Sequence, residues 1–340
     1  MSKPKHILVI RLSAMGDVAM TVPVLRAFTR QYPDVKLTVL TRDFFKPLFR
    51  DLKNVTVYPA HVKDQHKGLK GLYKLSREIR PLKCDAVADL HKVLRSKVLK
   101  PMLGIRKVAT INKGRKEKKR LIKGKDFKQL KTTHQRYADV FNTLGYPIDL
   151  SNPTFPKPTT LNDSCLKLIG KPNKKRIGIA PFAAHDSKMY PLEHMERVIE
   201  KLSEDYQVLL FGGGSREIQI LNYFESEDKG IINLAGKLSL DEELDVISNL
   251  HVMLSMDSGN AHLAAMFGIK VITIWGVTHP YAGFAPFKQP DDYCLLADRN
   301  QYLKIPTSIY GNKFPEGYKD AAGSISVETI VNKVKSVIPA

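Results

Sequence analysis

The sequence has no apolar run of the roughly 18 residues that a membrane-spanning helix needs, and the longest apolar stretches are a few residues long. A basic start is followed by a short apolar stretch, MSKPKHILVIRLSAMGD, but Arg11 interrupts it at once, so a secretory leader is not expected. Cysteine is scarce. Cys84, Cys165 and Cys294 lie far apart, which gives neither a disulfide framework nor a metal-ligand spacing and fits a reducing cytoplasm. The spaced G-x-G-x-x-G of a dinucleotide fold is missing, as is the G-x-x-x-x-G-K-[ST] loop of nucleotide triphosphatases. No internal repeat of short period is visible.

What is present in excess is positive charge. The formal net charge is +20. Residues 1–150 hold 34 Lys and Arg against 12 Asp and Glu, whereas residues 151–340 hold 20 against 22. The excess therefore lies wholly in the first half. Such a bias is either a solvated face that aids solubility or a docking surface for an anionic partner: nucleic acid, acidic lipid or a phosphorylated sugar. The basic run lacks interleaved aromatics for stacking single strands, and no nucleic-acid reading motif occurs, so no nucleic-acid partner is expected.

Short apolar runs alternate with helical periodicity through both halves. Strands are expected at 6–10, 37–40, 55–58 and 85–90, with helices at 17–31, near 44–51 and near 69–80. Residues 113–125, KGRKEKKRLIKGK, are too charged to pack and read as an exposed loop. The proline-bearing stretch 151–160 reads as a linker between an N-terminal domain, 1–150, and a C-terminal domain, 161–340. Strands follow at 176–181, 207–211, 252–256 and 270–275, with helices at 191–204, 215–226, 240–249 and 259–267. The final helix, near 326–338, could pack back on the first domain. Strand and helix in alternation imply parallel sheets. Two Rossmann-like halves would bind ligands at the carboxyl ends of their strands.

Four motifs sit at such strand ends. In RLSAMGDVAMTVPVL (11–25), Gly16 permits a tight turn and Asp17 stands near a helix start, as a cap or as a carboxylate aimed at a ligand. In IAPFAAHDSKMYP (179–191), small Ala183 and Ala184 allow close backbone approach, and Lys188 can reach an anionic group. FGGGSRE (211–217) offers bare N–H groups at Gly212 and Gly213 for phosphate or ribose, with Glu217 in the first helical turn able to accept from ribose hydroxyls. In MDSGNAHLAAMFGIKVITIWG (256–276), a strand ends at Asp257, Ser258 and Gly259 and a helix opens at once, with His262 one turn in.

In this order and spacing the motifs resemble the lipopolysaccharide heptosyltransferases of glycosyltransferase family nine. R-x-S-x-x-G-D followed by T-x-P matches Arg11, Ser13, Gly16, Asp17, Thr21 and Pro23. D-S-G-x-x-H-x-A-x-x-x-G matches Asp257, Ser258, Gly259, His262, Ala264 and Gly268, and G-x-T-x-P matches Gly276, Thr278 and Pro280. The later G-x-x-P element is echoed by Gly283 and Pro286. The likeness runs from about residue 5 to residue 338. Ala183 and Ala184 stand where the family often has Thr or Ser, Tyr190 where it usually has Trp, and Asn260 and Ala261 where it often has Pro and Met.

The resemblance implies an α/β, GT-B fold of two Rossmann-like domains facing across a cleft, the first binding the acceptor and the second the nucleotide sugar. It implies inverting transfer of a heptose from an ADP-sugar, with no cofactor beyond that co-substrate. Asp17 corresponds to the general base and Lys188 to the lysine beside the donor phosphates. Glu217 matches the residue that touches the ribose, and Asp257, Ser258, Gly259 and His262 match the donor stretch. No D-x-D triplet occurs, so no metal clamp is expected. The acceptor would be an anionic lipid-linked saccharide at the inner face of a bacterial inner membrane, with the enzyme cytoplasmic and peripherally associated. Ser13, Arg95, Lys116, Lys118, Lys119 and Arg120 are the candidate acceptor contacts, with Lys92 and Lys97 nearby. A transferase of the same fold using another nucleotide sugar, or a basic nucleic-acid-binding protein, are the alternatives.

Overall fold

The computed structural model describes residues 3–171, 173–226 and 229–338. They form two compact units, Met1–Lys113 with Thr133–Phe155, and Gly114–Thr132 with Pro156–Ala340.

The first unit is built on five parallel strands: β1 (His6–Ile10), β2 (Lys36–Thr41), β3 (Val55–Pro59), β4 (Ala86–Asp89) and β5 (Lys107–Thr110). Their order is β3-β2-β1-β4-β5. Ile7 to Ile10 of β1 are fully buried, as a central strand covered on both faces must be. Ile7 aligns with Leu37 on one side and Ala86 on the other. The helices are α1 (Met15–Ala19), α2 (Thr21–Gln31), α3 (Gly68–Ile79) and α4 (Leu94–Leu103). The expected single helix over 17–31 is thus two, divided at Met20. Val22, Leu25 and Phe28 do form its buried stripe. The helix expected near 44–51 is instead a tight three-residue-per-turn helix over Asp43–Phe49, with Pro47 inside it; a proline cannot donate the bond that a regular helix interior requires.

The charged segment 113–125 corrects the expectation of an exposed loop. It forms α5 (Arg115–Ile122), which belongs to the second unit. Leu121 is buried there with Leu130 and Ala282, and the Leu130 N–H donates to the Tyr281 carbonyl at 2.9 Å. One apolar stripe is enough to dock a helix whose exposed residues are cationic but for Glu117. The charge bias shifts accordingly. Counted over these units, the first holds 25 Lys and Arg against 10 Asp and Glu, and the second 29 against 24. The chain then rejoins the first unit as α6 (Thr133–Thr143), whose Phe141 meets Phe28 with ring centroids 4.8 Å apart.

The second unit carries six parallel strands: β6 (Arg176–Ala180), β7 (Gln207–Leu210), β8 (Ile231–Asn233), β9 (Val252–Met256), β10 (Lys270–Trp275) and β11 (Cys294–Leu296). Their order is β11-β10-β9-β6-β7-β8. Around them lie α7 (Asp163–Ile169), α8 (Leu192–Ser203), α9 (Ser215–Phe224), α10 (Leu240–Ser248), α11 (Gly259–Ala265) and α12 (Val327–Val337). Ser239 and Glu242 cap α10 reciprocally. The final helix, α12, packs on α8, β9 and β10 inside this unit, where Ile330, Val331 and Val334 complete its core. No helix among the described residues is long and apolar enough to cross a membrane.

Ile330 is fully buried in that core. Ile330→Ala should lower the unfolding free energy by about 2–5 kcal/mol, the usual cost of deleting a buried aliphatic side chain. Chemical denaturation reads this directly, and an unchanged midpoint would mean that α12 does not rest on the β9–β10 face.

Candidate active site

In each sheet the strand order reverses once, between β1 and β4 in the first and between β6 and β9 in the second. Loops leaving the carboxyl ends of such a pair diverge to opposite faces and open a crevice where open α/β sheets bind ligands. The first motif follows β1; the second and fourth follow β6 and β9.

In the first unit, Asp17 sits in the first turn of α1. Its Oδ2 accepts from the Ala14 N–H at 3.4 Å and pairs with the Arg11 guanidinium at 2.5 Å. Asp17 is therefore both a cap and a carboxylate held by a buried cation, and its side chain is 31% exposed. Arg11 is fixed in turn. It donates to the Leu90 carbonyl at 2.8 Å, after β4, and its guanidinium lies 5.9 Å from the Tyr137 ring centre. Tyr137 is fully buried and donates to the Asp17 carbonyl at 3.3 Å. Asp89, at the end of β4, is fully buried. It accepts from the His91 and Lys92 N–H groups, the Ser96 hydroxyl and the Lys100 ammonium at 2.8–3.0 Å. Burial opposes its ionisation, but these donors outweigh burial and hold the carboxyl below its ordinary range.

In the second unit, Lys188 and Asp257 meet. The ammonium lies 2.8 Å from Asp257 Oδ2, and both side chains are nearly buried. The Thr278 hydroxyl donates to the same oxygen at 2.9 Å. Two glycines allow the Lys188 loop this position. A Cβ on Gly276 would fall 2.4 Å from the Ser187 carbonyl oxygen, and one on Gly311 would fall 2.5 Å from Lys188 Cγ. Ser187 is buried and its hydroxyl donates to the Gly311 carbonyl at 2.5 Å. Next to Asp257, the Ser258 hydroxyl lies 3.0 Å from Ser255 Oγ, Gly259 opens α11, and His262 is buried on that helix.

The model of glycosyltransferase family 9 (heptosyltransferase) matches residues 72–307. The chain belongs to this family. The lipopolysaccharide core heptosyltransferase OpsX of Haemophilus influenzae is 23% identical over 98% of this chain and 97% of its own length. The solved ADP-heptose lipopolysaccharide heptosyltransferase II of E. coli superposes with a TM-score of 0.72 at 19% identity over 98% of each chain. E. coli heptosyltransferase WaaC, solved with ADP, gives 0.66 at 18% identity over 98% of this chain and 99% of that one. The two parallel-sheet units are those of the GT-B fold.

The other sequence-derived residues of this family 9 protein fall in several places. Ala183 and Ala184 lie in the loop after β6, half-buried and exposed. Gly212 and Gly213 follow β7, but the Gly213 N–H is not bare: it donates to Glu217 Oε2 at 2.7 Å. A Cβ at Gly212 would meet the same carboxylate at 3.2 Å. Glu217 is therefore partly spent on its own loop. The acceptor candidates divide between the units. Ser13 and Arg95, with Lys92 and Lys97, belong to the first; Lys116, Lys118, Lys119 and Arg120 lie on α5 of the second. Lys118 is buried with its ammonium 3.9 Å from the Phe284 ring centre. Arg120 pairs with Asp126 at 2.5 Å. Sequence reasoning quoted Arg11 and Thr278 as motif positions and missed that each holds a candidate carboxylate. Gly311 lay in no motif and could not have been found. Among the described residues, no three His, Cys, Asp or Glu side chains converge as a metal site would need.

Two buried histidines set a pH dependence. His91 is pushed down to about 4 by burial and by the Arg11 and Lys113 charges, against partial opposition from Asp17 and Asp89. His279 is pushed down to about 4 by burial and by Arg299. Each therefore binds a proton more readily when unfolded. Their contribution to stability is complete above about pH 6.5 and is lost as pH falls toward 4. Burial pushes Glu243 up to about 7, which opposes them over the same window, so the check is a difference: in urea unfolding, His91→Asn with His279→Asn should lose less stability than the parent as pH falls from 6.5 toward 4.

Proposed function

We propose that this protein is an inverting transferase that moves a heptose from an ADP-sugar to an anionic inner-core lipopolysaccharide acceptor, at the cytoplasmic face of a bacterial inner membrane. The observation that carries the reading is the Lys188–Asp257–Thr278 cluster at the second sheet's reversal point, on the residues of the family's donor stretch. The names of relatives matching nearly the whole chain support the sugar and the acceptor, and the relative solved with ADP supports the nucleotide.

In this scheme the second unit, 156–340 with 114–132, holds the donor and the first unit holds the acceptor. An ammonium has three donors. Asp257 takes one from Lys188, and the other two face the donor diphosphate. Asp257 and Thr278 thus orient the lysine. The glycine loop and Glu217 receive the nucleoside, and Ala183 and Ala184 leave room for it. Inversion requires the acceptor hydroxyl to attack the anomeric carbon on the face opposite the diphosphate, through an oxocarbenium-like transition state. As the new C–O bond forms, the hydroxyl proton passes to Asp17. Arg11 occupies Oδ2, which leaves Oδ1 to take that proton. The bond to the diphosphate breaks with its electrons on the leaving oxygen, where Lys188 stabilises the growing charge. No metal or further cofactor enters the scheme.

Asp17→Asn should lower kcat by about 10²–10⁴, the range for loss of a positioned base, while calorimetry shows nearly unchanged ADP affinity. Lost ADP binding in that variant would contradict the division of roles. Lys188→Met should instead weaken ADP binding. A thermal-shift comparison of ADP-, GDP-, UDP- and CMP-sugars tests the donor, because only a ligand of the folded state raises the midpoint. Stabilisation by another nucleotide and not by ADP would point to a different sugar transferase of the same fold.

A further inference from the structure

The second unit has a cavity of about 610 Å³ between the end of α5 with the residues that follow it and the loop 299–315, whose Gly311 reaches the candidate active site. Ile122 and Phe127 line one side, and Leu303, Phe314 and Pro315 the other. Leu303 is 73% exposed, Phe314 42% and Phe127 38%. Large apolar side chains exposed around one groove mark a surface that something covers.

The surroundings are strongly cationic. Residues 114–131 hold nine Lys and Arg against Glu117 and Asp126, and Asp126 is already paired with Arg120. Residues 299–319 add Arg299, Lys304, Lys313 and Lys319 against Glu316. Lys123, Arg299, Lys304 and Lys313 line the groove itself. The scaffold under it is folded and packed. Arg299 stacks on Phe127 with its guanidinium carbon 3.6 Å from the ring centre, and Leu121 anchors α5 from below.

From this charge complementarity and apolar exposure we infer that the face formed by 121–127 and 299–315 docks the protein on a bilayer containing anionic phospholipid. Leu303 and Phe314 enter the interfacial layer, and the surrounding lysines and Arg299 meet the headgroup phosphates. Lysine and arginine suit both demands, since their stems are apolar and their ends charged. A polyanion alone would account for the charge and leave Leu303 and Phe314 unexplained. The inference rests on the reading that the acceptor is membrane-borne, but its test needs no acceptor and no turnover.

The full chain is sedimented with phosphatidylcholine vesicles, with and without phosphatidylglycerol, over a salt series. Binding is expected only to the anionic vesicles and should weaken with salt. Leu303→Glu with Phe314→Glu, and separately Lys304→Glu with Lys313→Glu, should each weaken it by at least roughly tenfold. Lys74→Glu with Arg77→Glu on α3 of the first unit should leave it unchanged. Retained melting temperature and retained stabilisation by ADP would show that the groove variants are folded. Absence of binding to anionic vesicles overturns the proposal, as does binding that the groove variants leave intact. So does RNA binding that competes with vesicles and ignores Leu303 and Phe314. Each of these results leaves the Asp17 and Lys188 assignments standing.

Discussion

An ammonium and a carboxylate, each nearly removed from water, meet at Lys188 and Asp257. Either charge alone would be costly to bury, and removing one partner typically destabilises such a site by about 3–5 kcal/mol. The pair therefore dictates much of what surrounds it. It ties the loop after β6 to the end of β9, on the two strands where the sheet order reverses. The loop can come close only because Gly276 and Gly311 lack side chains. Thr278 adds a hydroxyl to the oxygen that Lys188 also uses, so the carboxylate has little freedom. A lysine fixed in this way is pre-organised for an anion and needs little rearrangement when one arrives.

The first unit holds its ion pair differently. There the buried partner is the cation, Arg11, and the carboxylate of Asp17 is the group left partly in solvent. Arg11 is held by the Leu90 carbonyl and sits beside Tyr137, so the orientation of Asp17 is set by elements on both sides of the strand reversal. Both pairs stand at equivalent positions in their sheets, after β1 and after β6, but only the first leaves one partner partly in solvent.

Much of this was legible in the sequence, for definable reasons. Strands buried on both faces are continuous apolar runs, so β1, β6, β9 and β10 could be read directly. Edge strands β5, β8 and β11 span three or four residues each and leave no comparable trace. Helix α5 escaped because its docking needs only Leu121 and the stem of Lys118, and pattern reading gives weight to charge. Within the site, Asp17, Lys188 and Asp257 were readable as residue types at strand ends. Their partners were not, since Arg11–Asp17 depends on a turn and Lys188–Asp257 on two loops far apart in the chain. Gly213 shows the opposite error: a glycine loop suggested free donors, and a local carboxylate had already taken one.

Residues 114–132 belong with the second unit although the chain on either side of them belongs to the first. Neither unit is therefore a single uninterrupted stretch of polypeptide. Cutting the chain at the proline-rich stretch would leave the first fragment carrying a cationic helix without its apolar seat, and the second with that seat uncovered. During synthesis, α5 leaves the ribosome long before Ala282 and the loop 299–315 exist. Its apolar stripe must wait, shielded by like-charge repulsion from self-association, until almost the whole protein has been made.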